Sequence, residues 1–565
     1  MLPQKRWTYL EADETLVNEL RSQLKIHPVL CKLLVLRGVK TFDEAKEFFR
    51  PSLEKLHDPF LMKDMDKAIT RIENAIAKNE KILIYGDYDV DGTTAVSLVY
   101  AFFIEIYNNV SYYIPDRYTE GYGISIQGID FAAENGVGLI IALDCGIKAN
   151  DKIDYANLKN IDFIICDHHL PGETLPNAAA VLDPKRNDCN YPYKELSGCG
   201  IGFKLIQAYA EKNNVLNEKI YDQLDLVAVS IASDLVPITG ENRILAKFGC
   251  DRINTNPRAG IKALMSELKL SRNLDVTDLV FIIGPRINAA GRIAHGSEAV
   301  TLLIEEDYDR AIEKTKKVQE NNTNRKTLDK DITEEAFAMI DNSEVLIQKK
   351  TTVLYQEHWH KGVVGIVASR LIEKYHRPTI ILASSNGQAV GSGRSVPGFD
   401  LHAAIDSCSE HLVQFGGHKY AAGLTIELNK IDEFSAQFDK IVSERITAEQ
   451  LIPQIEIDAE IELSDINEKF FNILEQMQPF GPGNMRPNFI TKDVYDTGFS
   501  KILNGNHLKL NILKDGQDPK NGVGFGMGNY MKIMEQKDTF DICYQLYANV
   551  WNNQTKIEFK LKDLR

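Results

Sequence analysis

The densest chemistry in the sequence is the stretch Gly-Asp-Tyr-Asp-Val-Asp-Gly from Gly86 to Gly92, in which Asp87, Asp89 and Asp91 alternate. Carboxylates crowded along so little backbone repel one another, and that arrangement is costly unless a cation sits among them. A divalent metal ion meets the need. Further ligand types stand downstream, each at the end of an apolar run: Asp144 after GLIIAL, Asp167, His168 and His169 after DFIIC, and Asp234 after VAVSIAS. Carboxylates and imidazoles without a thiolate make a mixed oxygen and nitrogen set suited to Mn2+ or a similar first-row ion, with Mg2+ as the hard-oxygen competitor. Such ions activate water and offset phosphoryl charge, so the set points to phosphoester hydrolysis.

Residues so far apart need a scaffold that gathers them. Ile82 to Tyr85 is too short for a confident helix and rich in branched residues, so it reads as a buried strand stopping at Gly86. The segment that follows has helical length, with Thr93 and Thr94 as its expected caps. From residue 78 to about 240 the runs KILIYG, SYYIPD, GLIIALD, DFIICD and AAAVLD alternate with helical stretches, which is the βαβ rhythm of a mostly parallel sheet. Parallel strands bring their carboxyl ends to one edge, where α/β proteins place ligands. Asp234 is expected at the C-terminal end of a helix.

GDYDVDG, the Asp144 segment, Cys166-Asp167-His168-His169 and Ala232-Ser233-Asp234 resemble the four motifs of the DHH phosphoesterase superfamily. The resemblance implies that Asp87, Asp89, Asp144, His168 and Asp234 ligate two divalent ions, Mn2+ or Mg2+, and that His169 completes the catalytic set by facing the substrate phosphate. It places Asp91 and Asp167 behind them, the one holding the loop and the other orienting the metal-bound imidazole. GPRINAAGRIAHG, residues 284–296, is similar to the RecJ branch of the superfamily, where the Arg286 position approaches nucleic acid. GSGRS around Ser392 and Arg394, and GGH ending at His418, resemble the DHH-associated domain, in which these positions grip the substrate. Small residues beside hydroxyl, guanidinium and imidazole donors allow close approach to an anion.

The expected architecture is therefore α/β in several parts: a helical N-terminal segment (1–75), a parallel-sheet DHH catalytic domain with a helical extension (76–304), a long connecting helix (305–345), a second α/β DHH-associated substrate-binding domain (346–448) and a C-terminal OB-like β-barrel (449–565). In the barrel, Phe499, Tyr547 and Trp551 with Lys501, Lys509 and Lys556 are of the types that stack bases and neutralise phosphates, although most barrel aromatics should be core. The family resemblance implies a 5′ to 3′ exonuclease that hydrolyses single-stranded DNA to 5′-mononucleotides in recombination and repair, by two-metal activation of water. Single-stranded DNA is the expected partner, with a single-strand-binding protein and a RecQ-type helicase as further candidates. Two alternatives stand beside it: a DHH phosphodiesterase acting on short oligonucleotides or cyclic dinucleotides, which needs no terminal barrel, and a non-catalytic DNA-binding replication scaffold, which needs no complete ligand set.

Composition bounds these readings. With 565 residues, 44% of them hydrophobic, the chain can bury several cores. A net charge of −15 argues against non-specific coating of duplex DNA. No apolar stretch of about 18 residues appears, and the N-terminus lacks the apolar region of a secretory signal, so a cytoplasmic protein without membrane spans is expected. The eight cysteines show no paired or CxxC spacing and are expected to be reduced.

Overall fold

The structure is a computed structural model that describes residues 5–551 and 554–565, without the side chains of residues 550, 551, 554 and 555, so the Trp551 ring lies outside the described residues. The chain forms two compact units, one of Asp13–Asn322 with Asn472–Arg486, the other of Met1–Ala12, Thr323–Phe471 and Pro487–Arg565.

The first unit is built on a five-stranded, wholly parallel sheet in the spatial order Val110–Tyr113, Lys81–Gly86, Val137–Leu143, Asp162–Cys166, Ala180–Leu182. Its strands are covered on both faces, which is why they read as unbroken apolar runs. Ile82, Ile84, Ile141 and Ile164 pack into one core with the helices Val90–Ile104, Gly198–Lys212 and Leu224–Ser233, whereas Leu83, Tyr85, Ile140 and Ile165 enter a second core beyond the opposite face. Each such side chain, fully withdrawn from water, contributes roughly 1.5–3 kcal/mol. The register aligns Gly86 with Leu143, Leu143 with Cys166, and Cys166 with Leu182. Asp87, Asp144 and Asp167 therefore emerge side by side at the carboxyl edge.

Two local expectations need correction. The helix after Lys81–Gly86 starts at Val90, because Asp89 is its N-cap and accepts from Gly92 N at 3.1 Å. Thr93 and Thr94 lie inside it, their hydroxyls turned back on the carbonyls of Asp89 and Val90 at 2.6 and 2.7 Å, so Asp91 belongs to the first turn. The N-terminal segment is not one helical piece either. Helices Glu14–Leu24, Pro28–Leu36, Phe42–Phe49 and Met65–Ala77 are in the first unit, but Arg6–Tyr9 is a strand paired in parallel with Gln454–Ile457 in the second. Trp7 Nε1 donates to Asp563 Oδ2 at 2.7 Å, which ties that strand to the end of the chain.

The segment Asn472–Arg486 likewise departs from the expected barrel domain and joins the first unit. There the Arg243 guanidinium, stacked 3.8 Å from the Phe48 ring, donates to the carbonyls of Phe48, Met477 and Gln478.

In the second unit, a five-stranded sheet runs Leu412–His418, Ala421–Glu427, Gln388–Arg394, Thr379–Ser385, Thr352–Gln356, antiparallel except for its last pair. The helix Val364–Tyr375 lies along it. A seven-stranded sheet forms the terminal barrel and closes where Phe489–Asp496 pairs with His507–Leu513. Phe489, Tyr544 and Phe559 fill its interior, while Phe499, Lys501, Lys509 and Lys556 are exposed and Tyr547 is half-buried under Lys560. The expected long helix is Tyr308–Asp341, 34 residues, and continues along the chain from the first unit into the second. All eight cysteines are buried and unpaired, and among the described residues no helix is long and apolar enough to cross a membrane.

Candidate active site

At the carboxyl edge of the parallel sheet the predicted acids and imidazoles converge. Three overlapping groups have ligand atoms within 4.8 Å of one another: Asp87, Asp89 and Asp144; Asp144, His168 and His169; Asp91, His168 and Asp234. His168 Nε2 stands 3.2 Å from Asp144 Oδ1, 3.6 Å from Asp234 Oδ2 and 3.7 Å from Asp91 Oδ2. Yet Asp144 Oδ1 and both ring nitrogens of His168, all buried, have no hydrogen-bond partner. Buried polar atoms rarely stay unpaired, and a ring of such atoms aimed at one another fits a cation among them.

The local backbone is bent to serve this arrangement. Asp144 takes a left-handed conformation with φ of 58°, uncommon for a residue with a side chain and concentrated at functional sites. A Cβ at Gly198 would stand 2.6 Å from Asp144 Cβ, and one at Gly92 only 2.4 Å from the Asp87 carbonyl oxygen, so glycine is needed where these first helical turns meet the strand ends. Asp234 caps the C-terminal end of Leu224–Ser233, where a helix dipole disfavours negative charge.

The electrostatics point the same way. Burial, reinforced by Asp89, holds the Asp87 carboxyl well above its ordinary range; burial with Asp91, Asp89 and Asp234 does the same to Asp144. Asp234 is pushed up to about 8 by burial and then by Asp91 and Asp89. Burial depresses His168, keeping it in the neutral form that can ligate a metal. His169 behaves oppositely: burial works against its charge, but the hydrogen bond to Asp167 and neighbouring carboxylates hold it up to about 8.

The two expected supporting aspartates divide their work differently from expectation. Asp91 accepts from Gly198 N at 2.7 Å, Cys199 N at 2.8 Å and Ser230 Oγ at 2.7 Å, which locks it beneath the loop, and it also reaches His168. Asp167 does not orient His168. Its Oδ1 holds His169 Nδ1 at 2.7 Å and accepts from both histidine amides, while Oδ2 accepts from Ile147 N at 2.9 Å.

Family models match three parts of the chain: the DHH family N-terminal domain over residues 81–231, the DHHA1 domain over 348–444 and the RecJ OB domain over 457–563. The single-stranded-DNA-specific exonuclease RecJ of Bacillus subtilis is 35% identical over 566 residues, covering 99% of this chain and 70% of its own. That of Salmonella typhimurium is 30% identical, with 100% of both chains covered. The chain belongs to the RecJ family. The crystal structure of RecJ from Thermus thermophilus in complex with Mn2+ matches with a TM-score of 0.85 at 25% identity, over 99% of this chain and 79% of that one; its Mg2+ complex gives 0.80.

The other expected site residues of this RecJ-family chain are not all alike. Arg286, on the helix Gly284–Ile293, is buried and donates to Gln319 Oε1 at 2.8 Å and to the Ile282 carbonyl at 2.5 Å, so its guanidinium is engaged in helix packing. Ser392, Arg394 and His418 lie in the second unit. Arg394 pairs with Ala421, which pairs with His418, so the three residues share a rung across neighbouring strands and one face of the sheet. Ser392 is two residues from Arg394 on that face and accepts from Arg394 Nη1 at 2.7 Å.

One neighbour of His169 is not among the expected site residues. The Tyr122 hydroxyl lies 3.3 Å from His169 Nε2, and its exposed ring meets the imidazole edge-on. Its Gly-Tyr-Gly setting signals a tight loop close to the site, but not the contact of the phenol with His169.

Proposed function

We propose that this RecJ-family chain hydrolyses single-stranded DNA with Mn2+ or Mg2+, working 5′ to 3′ and releasing 5′-mononucleotides, in DNA recombination and repair within the cytoplasm. The observation that carries the reading is the cluster in which Asp144 Oδ1 and both His168 nitrogens are buried without partners. When bound, divalent ions supply Lewis acidity, lowering the pKa of water toward neutrality and offsetting phosphate charge.

The protein's own groups do the rest. Asp87, Asp89, Asp144, His168 and Asp234 would hold the metals; Asp144 and His168 each belong to two of the ligand groups, and Asp144 is the one carboxylate among them that does. Asp91, anchored on the first turn of Gly198–Lys212, fixes the loop from below. His169 keeps its proton near neutral pH and presents Nε2 as a donor to a phosphate oxygen, its ring held by Asp167. Arg286 adds positive potential from its helix, while Ser392, Arg394 and His418 bind the strand. A single-strand-binding protein and a RecQ-type helicase are the proposed further partners.

The test uses single-stranded DNA labelled at either end, with duplex and RNA controls, and Mn2+, Mg2+ or EDTA. Immediate release of 5′-labelled mononucleotide, with the 3′ label passing through progressively shorter fragments, is expected with either metal and not with EDTA. Cleavage of dinucleotides alone would favour a small-substrate phosphodiesterase, and binding without cleavage under any metal would favour a scaffold.

A further inference from the structure

The helix Val364–Tyr375 has a glycine, Gly365, as its second residue, although no turn or positive φ requires one there. Alanine is the far better helix former, so a glycine in that place has a cost in stability. What an alanine would meet explains it. A Cβ on Gly365 would stand 2.9 Å from Arg394 Nη2 and 3.1 Å from Ser392 Oγ, and only the first of these is closer than real Cβ atoms approach. Arg394 Nη1 in turn donates to Ser392 Oγ at 2.7 Å and to the Gly393 carbonyl at 2.8 Å. One end of the guanidinium thus lies against the first turn of a helix, the end whose partial positive charge repels it. The helix carries no side chain at that point, and Ser392 supplies an acceptor.

We propose that Gly365 is a positioning residue for substrate binding: its missing side chain is the slot that seats the Arg394 guanidinium beside Ser392 at the angle needed to grip the DNA strand. The proposal rests on the reading of Arg394 and Ser392 as substrate-binding residues. The atom that a methyl group would displace is the far end of a flexible side chain, so the fold can yield where the binding geometry cannot. Gly365→Ala should therefore separate stability from function, leaving the fold as stable as before or more so while moving the arginine.

The experiment is a double-mutant cycle on the full chain, with G365A, R394A and the pair. Thermal melting, KM and kcat on single-stranded DNA with Mn2+, and the Kd for a fluorescent single strand in EDTA are measured for each. G365A is expected to keep or raise the melting temperature and to raise KM and Kd about fivefold with kcat little changed, the signature of lost ground-state binding. In the R394A background it should have no further effect. A conservative companion, R394K, lacks the fork that collides with the methyl group, so R394K and G365A/R394K should bind equally. If R394A raises KM but G365A does not, or if G365A weakens binding equally in the R394A background, the positioning role is wrong. A fall in the melting temperature of G365A matched by loss of kcat would make the glycine merely structural. If R394A itself leaves KM and Kd unchanged, the reading of Arg394 as a substrate contact fails, and the proposal with it.

Discussion

The carboxyl edge of the parallel sheet and the Ser392, Arg394 and His418 face of the mixed sheet are both built from polar residues, but they are satisfied in opposite ways. The first crowds like charges around a buried centre and leaves buried ligand atoms open, with several acids pushed above their ordinary range. The second sets a guanidinium against a hydroxyl within its own sheet and leaves His418 exposed. A cluster of the first kind is incomplete as protein alone and must be finished by a cation. A face of the second kind is complete by itself and can exchange internal bonds for those of a ligand. Substitutions in the two should therefore fail differently, the first in the chemical step and the second in binding.

The sharpest way to break this contrast is at Asp144. Asp144→Ala is expected to lower kcat on the order of 10³-fold or more with little loss of secondary structure by circular dichroism. Asp144→Asn, which removes one buried like charge, should raise the melting temperature of the metal-free protein yet abolish the further rise that metal gives the natural chain. That rise corresponds to about 2.7 kcal/mol at a metal concentration a hundred times Kd. Near-native turnover of D144A, or an unchanged metal response of D144N, would remove the cluster from the mechanism.

A smaller effect is expected one layer back. Asp91→Asn keeps the shape but not the charge, and should cost about 10- to 100-fold in Mn2+ affinity or activity, read by calorimetry and nuclease assay. In the second unit, Arg394→Ala should raise KM about tenfold with kcat nearly unchanged, the pattern of a contact made equally in ground and transition states. A fall in kcat as large as that of D91N would erase the distinction between the two regions. The smallest effect belongs to Tyr122→Phe, which removes one hydrogen-bonding hydroxyl beside His169 and should cost about 1 kcal/mol, roughly fivefold in activity. A loss above a hundredfold there would mean that the phenol takes part in the reaction.

How much of this was legible beforehand depended on the range of the signal. The strands of the parallel sheet could be read because both of their faces are buried, so Ile82 to Tyr85 and Leu139 to Leu143 are apolar at every position. The acids could be read because each follows such a run directly. Asp234 could be placed at a helix end for the same reason. The following helix starts earlier than its threonines suggest, because Asp89 upstream takes the Gly92 amide as N-cap and draws Thr93 and Thr94 into the first turns.

Residue types and their immediate neighbours set the inventory and its local setting: which groups stand at strand and helix ends, and that their charges cannot be gathered without a counter-ion. The pairings arise from long-range packing. Asp91 is held by amides more than a hundred residues away, at Gly198 and Cys199, and Asp167 takes the ring of His169 rather than that of His168. Arg286 turned into helix packing, Tyr122 turned toward an imidazole, and Arg6–Tyr9 and Asn472–Arg486 each joined the unit that their neighbours in sequence did not suggest. Periodicity reports how deeply a residue is buried, because burial recurs with the turn of the helix or the pleat of the strand. It carries no record of the partner, because that is chosen by which surfaces close over one another once the chain is folded.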